Sequence, residues 1–466
     1  MAYYHFIGIG GIGVGMLASL MLSKGHQVTG SDLKENDMTR SLARQGARIF
    51  NHHDQQNIYG AQFVVYSSAI RPDNPELVAA RQQGLPVMRR AELLAELMRD
   101  QIGITVAGAH GKTTTTSMIA NLLISAQQHP TVALGGVFKG GAYQASLGEG
   151  RYFVAEVDES DGTFLFFRPQ FSVITNIDHE HLDFYQSWAD IIENFKRFIS
   201  QTRPNGKVIV CGEDRQLREL AALSGKAFMT YGFSEMHDVF ATNLRFQGCS
   251  SKFDYHIKGG GAGTLQLLIP GRHNVLNALA CISVASCLGL ESRQIEEAFR
   301  FFRGVDRRFQ IKGRVNEVLV VDDYGHHPTE IKATLSAARA LEKPRIITVF
   351  QPHRYSRTKM LMDDFVECLS ACEYLIITDI YAAGEPPLTD ISAQELCMRI
   401  QRQSPHQVLY LPKDQIVGHL LKNVAEGDLI LTLGAGDIYR VGEEFLTLSK
   451  GDKVSCIGEQ KAPGNE

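Results

Sequence analysis

The sequence predicts an α/β protein of three domains, each built on a largely parallel sheet. Three observations carry that expectation. The chain opens with a strand from Tyr3 to Ile9, the glycine-rich turn GIGGIGVGM and a helical run to about Lys24. The same order recurs in the apolar run Ile104-Thr105-Val106-Ala107, the turn GAHGKT and a helical stretch from Met118 to Leu123. After residue 305, apolar strand-like runs alternate with helical segments, and each run ends in polar residues. Strands that alternate with helices form parallel sheets joined by crossovers. A length of 466 residues fits about three domains. The expected divisions are 1–100, 101–304 and 305–450, followed by a polar tail over 451–466. The first and third are expected to be Rossmann-like, and the second to be P-loop ATPase-like with an antiparallel flap.

Composition excludes several classes. Hydrophobic residues make up 44%, charged residues 21%, and the net charge is −4, so nothing points to nucleic acid or an anionic membrane surface. No apolar run approaches a membrane span, and the first residues lack a basic, cleavable leader. The eight cysteines are scattered and form no CxxC; reduced, mostly buried thiols in a cytoplasmic protein are expected. Cys368 and Cys372 lie four apart, but no His or Cys cluster completes a metal site.

In the first domain, Gly8, Gly10, Gly11 and Gly13 let a diphosphate approach a helix N-terminus. Asp32, after the second strand, is placed to bond ribose hydroxyls. A nicotinamide-dependent oxidoreductase is one reading of this turn, although it indicates a nucleotide diphosphate better than it indicates which nucleotide. Ser67 and Ser68 follow the strand Phe63–Tyr66. They suit a phosphate or sugar contact, and equally a serine-rich turn.

In the second domain, Gly108 and Gly111 permit a tight turn, Lys112 would reach terminal phosphates, and the Thr113 hydroxyl would hold magnesium. Gly108, Ala109, His110, Gly111, Lys112, Thr113 and Thr114 are thus expected around ATP. The GxxGKT spacing is shorter than the commonest P-loop, but strand, turn and helix fall where the motif needs them. Glu156 lies within the strand-like run RYFVAEV, where an unpaired charge is costly; magnesium is its natural partner. His181 is placed to reach a second metal ion. His179 would point the opposite way, so the two are no zinc pair. Glu159 and Asp161 are expected in a solvated acidic loop. The helix Ser187–Ile199 carries one apolar stripe, and a strand–turn series between 239 and 269 predicts the flap. Asn274 and Asn277 share a helix face; their amides could read an adenine edge, or Asn274 could cap the helix.

In the third domain, strands end in DDYGHHP, in QPHRYSRT and in GAGD. Open α/β sheets bind ligands at such ends. Arg354 and Arg357 would bind a carboxylate or phosphate there.

Four stretches, GIGGIG, GAHGKTTTT, DDYGHHPTE and FQPHRYSRT, occur in the order found in the Mur ligases, the ATP-dependent amide-forming enzymes of peptidoglycan synthesis, and the chain resembles that family over nearly its whole length. Ala109 stands where the family often has threonine. The resemblance implies that the first glycine turn binds the UDP of a sugar nucleotide, that the central domain binds ATP and Mg²⁺, and that the third domain closes over it and helps bind an amino acid. Among the members it most resembles the one that joins L-alanine to UDP-N-acetylmuramate through an acyl phosphate. The alternatives are an oxidoreductase, a family member that recycles murein tripeptide, and a non-catalytic nucleotide-binding regulator. By position, Glu156 and His181 become metal ligands and Asn274 and Asn277 adenine contacts. Arg308 and Asp323 approach ATP, while His327, Arg354 and Arg357 line the reacting substrates. Lys196 stands in the helix where some relatives carbamylate a lysine. No nucleic-acid partner or membrane insertion is implied; a monomer or homodimer is expected.

Overall fold

The computed structural model describes residues 1–67, 69–134, 145–146, 148–179 and 184–449. Its strands form three sheets. The first holds β1 (Tyr3–Ile7), β2 (Gln27–Ser31), β3 (Arg48–Phe50), β4 (Phe63–Tyr66) and β5 (Val87–Arg89), all parallel, in the order β3-β2-β1-β4-β5. Between them run α1 (Ile12–Ser23), α2 (Asp37–Arg44) and α3 (Pro75–Gln82), and α4 (Arg90–Met98) follows. The winding reverses between β1 and β4, which opens a crevice at the strands' carboxyl ends. The glycine turn leaves β1 at that point.

The second sheet has ten strands: β6 (Ile102–Ala107), β7 (Thr131–Ala133), β8 (Ala145–Ser146), β9 (Tyr152–Glu156), β10 (Phe171–Ile174), β11 (Lys207–Cys211), β12 (Phe228–Gly232), β13 (Val239–Gln247), β14 (Ser250–Ile257) and β15 (Ala262–Leu267). Their order is β15-β14-β13-β12-β11-β10-β6-β9-β7-β8. β6 is flanked by β9 and β10 and runs parallel to both, with Val106 level with Glu156 and with Val173. The loops that follow these three strands therefore emerge side by side. β13, β14 and β15 are successive neighbours joined by short turns. Thr242 meets His256 and Asn243 meets Asp254, so the first pair is antiparallel. This is the expected flap. The helices here are α5 (Lys112–Ser125), α6 (Trp188–Ser200), α7 (Arg215–Leu223), α8 (Arg272–Cys287) and α9 (Ser292–Phe299). Apolar side chains of the first two sheets and their helices join in one buried cluster, from Phe6 and Leu17 through Phe153 to Phe195.

The third sheet comprises β16 (Gln310–Val315), β17 (Val318–Asp323), β18 (Ile346–Phe350), β19 (Tyr374–Ile377), β20 (Gln407–Tyr410) and β21 (Leu429–Leu433), in the order β16-β17-β21-β18-β19-β20. β16 is antiparallel to β17, and the rest are parallel. Separate apolar clusters cover its two faces, one around Phe350 and Phe365, the other around Ile376 and Ile430. This explains why its strands are continuous apolar runs rather than alternating ones.

By packing, the chain forms two compact units. One spans Met1–Leu244 with Phe253–Gln266 and Val275–Phe302, and so includes the first sheet and most of the second. The other runs from Arg303 and takes in Arg245–Lys252 and Leu267–Asn274. The expected tail, 451–466, lies outside the described residues. Seven cysteines are free thiols, five of them buried, as expected; Cys456 is in that tail.

Candidate active site

In the first unit, the carboxyl ends of β6, β9 and β10 converge on the loop 108–111. Gly108 has φ +123°, and a Cβ there would lie 2.3 Å from Thr175 Oγ1 and 2.8 Å from the Asn176 carbonyl oxygen. Gly111 begins α5 in the left-handed region, φ +80°, with Asn277 Oδ1 2.6 Å from where its Cβ would stand. Only glycine meets both demands. Strand-end residues brace the loop. Asn176 Oδ1 accepts from the His110 N–H at 2.9 Å, and Thr175 Oγ1 donates to the His110 carbonyl at 2.6 Å. His110 Nε2 lies 2.7 Å from Asp178 Oδ2. No side chain caps α5, so its first turn presents N–H groups and the positive end of the helix dipole.

Lys112 folds back over this loop. Its ammonium donates to the carbonyl oxygens of Gly108 (2.7 Å) and Ala109 (3.3 Å) and to Glu159 Oε1 (2.8 Å). Burial by itself would lower its pKa, but the carboxylates of Glu159, Asp158 and Glu156 outweigh burial and hold it above the ordinary lysine value. The amine is therefore a fixed cation. Glu159 is only 3% exposed, which corrects the expectation of a solvated loop: its side chain turns inward to Lys112. Tyr185 donates its hydroxyl to the Glu159 carbonyl and keeps its proton far above neutral pH, chiefly through burial. Asp161 accepts from the Thr163 N–H at 3.0 Å and is partly buried, so it too departs from a freely solvated acid.

The Thr113 hydroxyl donates to Glu156 Oε1 at 3.0 Å. A hydroxyl and a carboxylate oxygen at a phosphate loop are the hard donors that magnesium takes, so these residues fit the metal. His181 and Ser68 lie outside the described residues. His179 is exposed and stacks on Trp188, centroids 4.0 Å apart. Lys196 does not face the site. Its side chain is 63% exposed and pairs with Glu193 one turn away, so the carbamylated-lysine assignment is withdrawn. Asn277 accepts from Thr115 Oγ1 at 3.1 Å, and Asn274 Nδ2 donates to the Pro270 carbonyl at 2.7 Å. Thr114 is buried in the first turn of α5.

At the other glycine turn, Gly8 has φ +77° and the Gly10 N–H donates to Asp32 Oδ2 at 2.9 Å. Gly11 caps α1 without a side-chain bond. A Cβ on Gly13 would lie 2.7 Å from Arg90 Nη1. Ser67 Oγ accepts from the Ala69 N–H at 3.3 Å, so its hydroxyl supports the local turn.

In the second unit, polar residues gather at the carboxyl ends of β17 and β18. Asp323 accepts N–H bonds from Phe309 and Gly325, each 2.7 Å. Burial raises its pKa to about 6 against the pull of Arg308. Arg308 pairs with Glu330 at 3.0 Å. His327 begins the helix α10 (Pro328–Arg339), where its Nδ1 accepts the Thr329 N–H at 3.4 Å and Glu330 completes the capping box. His326 and His353 are held neutral, at about 3 and about 4. Burial is the main cause for both; at His353 the cations of Arg357 and Arg354 add to it. Arg357 Nη1 donates to His353 Nδ1 at 3.2 Å, and Arg354 adopts φ +68°. A neutral, arginine-flanked cluster of this kind favours an anionic ligand.

Sequence reasoning passed over Asn176, Asp178 and Tyr185. The first two stand where β10 ends beside β6; pairing β10 with β6 is the information that would have singled them out.

Three family models match the chain: "Mur ligase family, catalytic domain" over 3–102, "Mur ligase middle domain" over 106–285 and "Mur ligase, glutamate ligase domain" over 307–436. The UDP-N-acetylmuramate–L-alanine ligase of Geotalea daltonii is 46% identical over 443 residues, covering 95% of this chain and 97% of its own. That of Geobacter sulfurreducens is 46% identical over 445 residues, covering 95% and 96%. The crystal structure of the UDP-N-acetylmuramate–alanine ligase of Thermotoga maritima superposes with a TM-score of 0.82 at 30% identity, covering 97% of this chain and all of that one. A murein peptide ligase from Psychrobacter arcticus shares the fold, with a TM-score of 0.70 at 24% identity over 97% of this chain and all of that one.

Proposed function

The chain belongs to the Mur ligase family, and on that premise we propose how its residues carry out the reaction. The reaction is the ATP-dependent ligation of L-alanine to UDP-N-acetylmuramate, giving ADP and phosphate. The observation that carries the mechanism is Lys112, buried as a cation between its own loop carbonyls and Glu159.

A lactyl carboxylate is a poor electrophile at neutral pH. Transfer of the γ-phosphoryl group of ATP to one of its oxygens forms an acyl phosphate and releases ADP. Two anions must approach, so positive charge fixed in advance lowers the barrier. Lys112 supplies one such charge, and the uncapped N-terminus of α5 supplies N–H donors to the phosphates. Thr113 and Glu156 would hold magnesium, whose charge neutralises the phosphate oxygens. His110, steadied by Asn176, Thr175 and Asp178, keeps the loop in its open curve. Asn274 and Asn277, on α8, would take the adenine, and Arg308 and Asp323 would serve the phosphate and ribose. The deprotonated amine of alanine then attacks the acyl carbon, the bond from that carbon to the phosphate oxygen breaks, and the nitrogen gives up one proton as the amide forms and phosphate leaves. Arg354 and Arg357 suit the alanine carboxylate, and His327 orients the amine. The turn Gly8–Gly13, with Asp32 and the serines 67 and 68, takes the UDP moiety.

No helix among the described residues is long and apolar enough to cross a membrane. The test is phosphate release from Mg-ATP with UDP-N-acetylmuramate and a panel of amino acids and murein tripeptide, with product mass read in parallel. Release that requires both the sugar nucleotide and L-alanine, with product heavier by one alanyl residue, is expected. Release with tripeptide but not alanine would move the chain to the recycling branch.

A further inference from the structure

The first sheet buries a polar cluster that the ligation chemistry does not use. Glu76, in the first turn of α3, is fully buried, as are His5 on β1 and Ser31 on β2. Glu76 Oε2 accepts from the Ser31 hydroxyl at 2.5 Å and lies 3.1 Å from His53 Nδ1. Glu76 Oε1 accepts from Asn57 Nδ2 at 2.6 Å and lies 3.7 Å from His5 Nε2. His5 Nδ1 is 2.8 Å from the Thr29 hydroxyl. Burial alone would push the carboxyl pKa up, yet the neighbouring His5 ring and the hydrogen bonds from Ser31 and Asn57 bring it down to about 2. The group is thus a buried carboxylate hydrogen-bonded to Ser31, His53 and Asn57. Apolar side chains of similar volume often fill such a space with equal or greater stability. The contacts of this cluster tie together β1, β2, the segment 53–57 and α3.

Ser31 connects that arrangement to the glycine turn. Its carbonyl oxygen accepts the N–H of Gly8 at 2.8 Å and of Ile9 at 3.0 Å. The next residue, Asp32, accepts the N–H of Gly10 at 2.9 Å. Three successive N–H groups of the turn are therefore anchored on two adjacent residues, and Glu76 grips the side chain of the first. We propose that Glu76 is a positioning residue for sugar-nucleotide binding, acting through Ser31 on the curvature of the turn Gly8–Gly13. This rests on the reading of that turn as the UDP site. Glu76 does not touch the ligand; it sets the frame in which the turn's backbone meets a diphosphate.

The test compares wild type with Glu76→Gln, Ser31→Ala and the exchange Glu76→Gln/Asn57→Asp, which puts a carboxylate and an amide back in the pair with their positions swapped. UDP-N-acetylmuramate binding is titrated calorimetrically, and KM is measured for each of the three substrates. Glu76→Gln and Ser31→Ala are expected to weaken sugar-nucleotide binding about tenfold, the loss typical of one charge-assisted hydrogen bond. KM for ATP and for alanine should stay within about twofold, a change of under half a kcal/mol, and the exchange should recover much of the loss. A general loss of stability would move all three substrates together, so such a pattern contradicts the proposal. Wild-type affinity in folded Glu76→Gln and Ser31→Ala also contradicts it. If Glu76→Gln does not fold, Ser31→Ala decides, because it keeps both the carboxylate and the carbonyl that the turn uses. Wild-type protein that neither binds the sugar nucleotide nor turns over would overturn the functional reading itself, and this inference with it.

Discussion

Lys112 shows how one residue is readied before its ligand arrives. Its ammonium is already held above the loop, and the neighbouring carboxylates keep it protonated. Its positive charge is therefore available without a proton transfer at the moment of reaction. Lys112→Ala removes the charge that we propose offsets phosphate repulsion, and we expect a fall of about a hundredfold to a thousandfold in ligation rate. UDP-N-acetylmuramate binding, measured by calorimetric titration, should be nearly unchanged, because the glycine turn 8–13 is a separate construction. Equal loss of both in a folded variant would contradict that separation. At this scale the sequence was legible where spacing alone fixes geometry, as for Gly108, Gly111, Lys112 and Thr113. It misled at Glu159. Four consecutive polar residues, Asp158 to Asp161, look like a solvated loop, and nothing local shows which one turns inward. Lys112 lies 47 positions away, and that partner makes the buried carboxylate tolerable.

The element that matters most is α5 with its turn. Its first turns carry four consecutive threonines, a composition with weak helix propensity. All four are buried, together with Ser117 and Met118, so tertiary packing forms the helix and propensity does not. Gly111→Ala should cost at least about 1–2 kcal/mol from the left-handed backbone alone. The close approach of Asn277 adds to that, so its thermal unfolding should shift down by several degrees and its ATP affinity should fall. A variant with unchanged Tm and unchanged nucleotide binding would show that this turn is not under the constraint described. Strands were legible as apolar runs because sheets covered on both faces need no alternation. The buried stripe of α6 was legible too, with Ile191, Phe195 and Phe198 inside. Lys196 is one position beyond Phe195, about 100° around the helix, so that stripe already argued against an inward lysine. Position within a resembled motif overrode the periodicity.

For the whole molecule, two compact units each offer a distinct chemistry. The first presents two glycine turns at the carboxyl ends of two sheets, which we propose take a sugar nucleotide and ATP. The second presents arginines and neutral histidines at the ends of β17 and β18. Three α/β sheets were legible from alternation of strands and helices. The joining of the first two in a single apolar core was not, because which helix faces pack together depends on contacts far apart in sequence. In the proposed reaction the lactyl carboxylate is activated by phosphorylation. The most direct measurement uses UDP-N-acetylmuramate with a heavy-oxygen label in that carboxylate, turned over with Mg-ATP and L-alanine, with released phosphate examined by mass. One labelled oxygen per phosphate is the predicted result, since the bond broken at the acyl carbon leaves that oxygen on phosphorus. Unlabelled phosphate alongside amide product would contradict carboxylate activation.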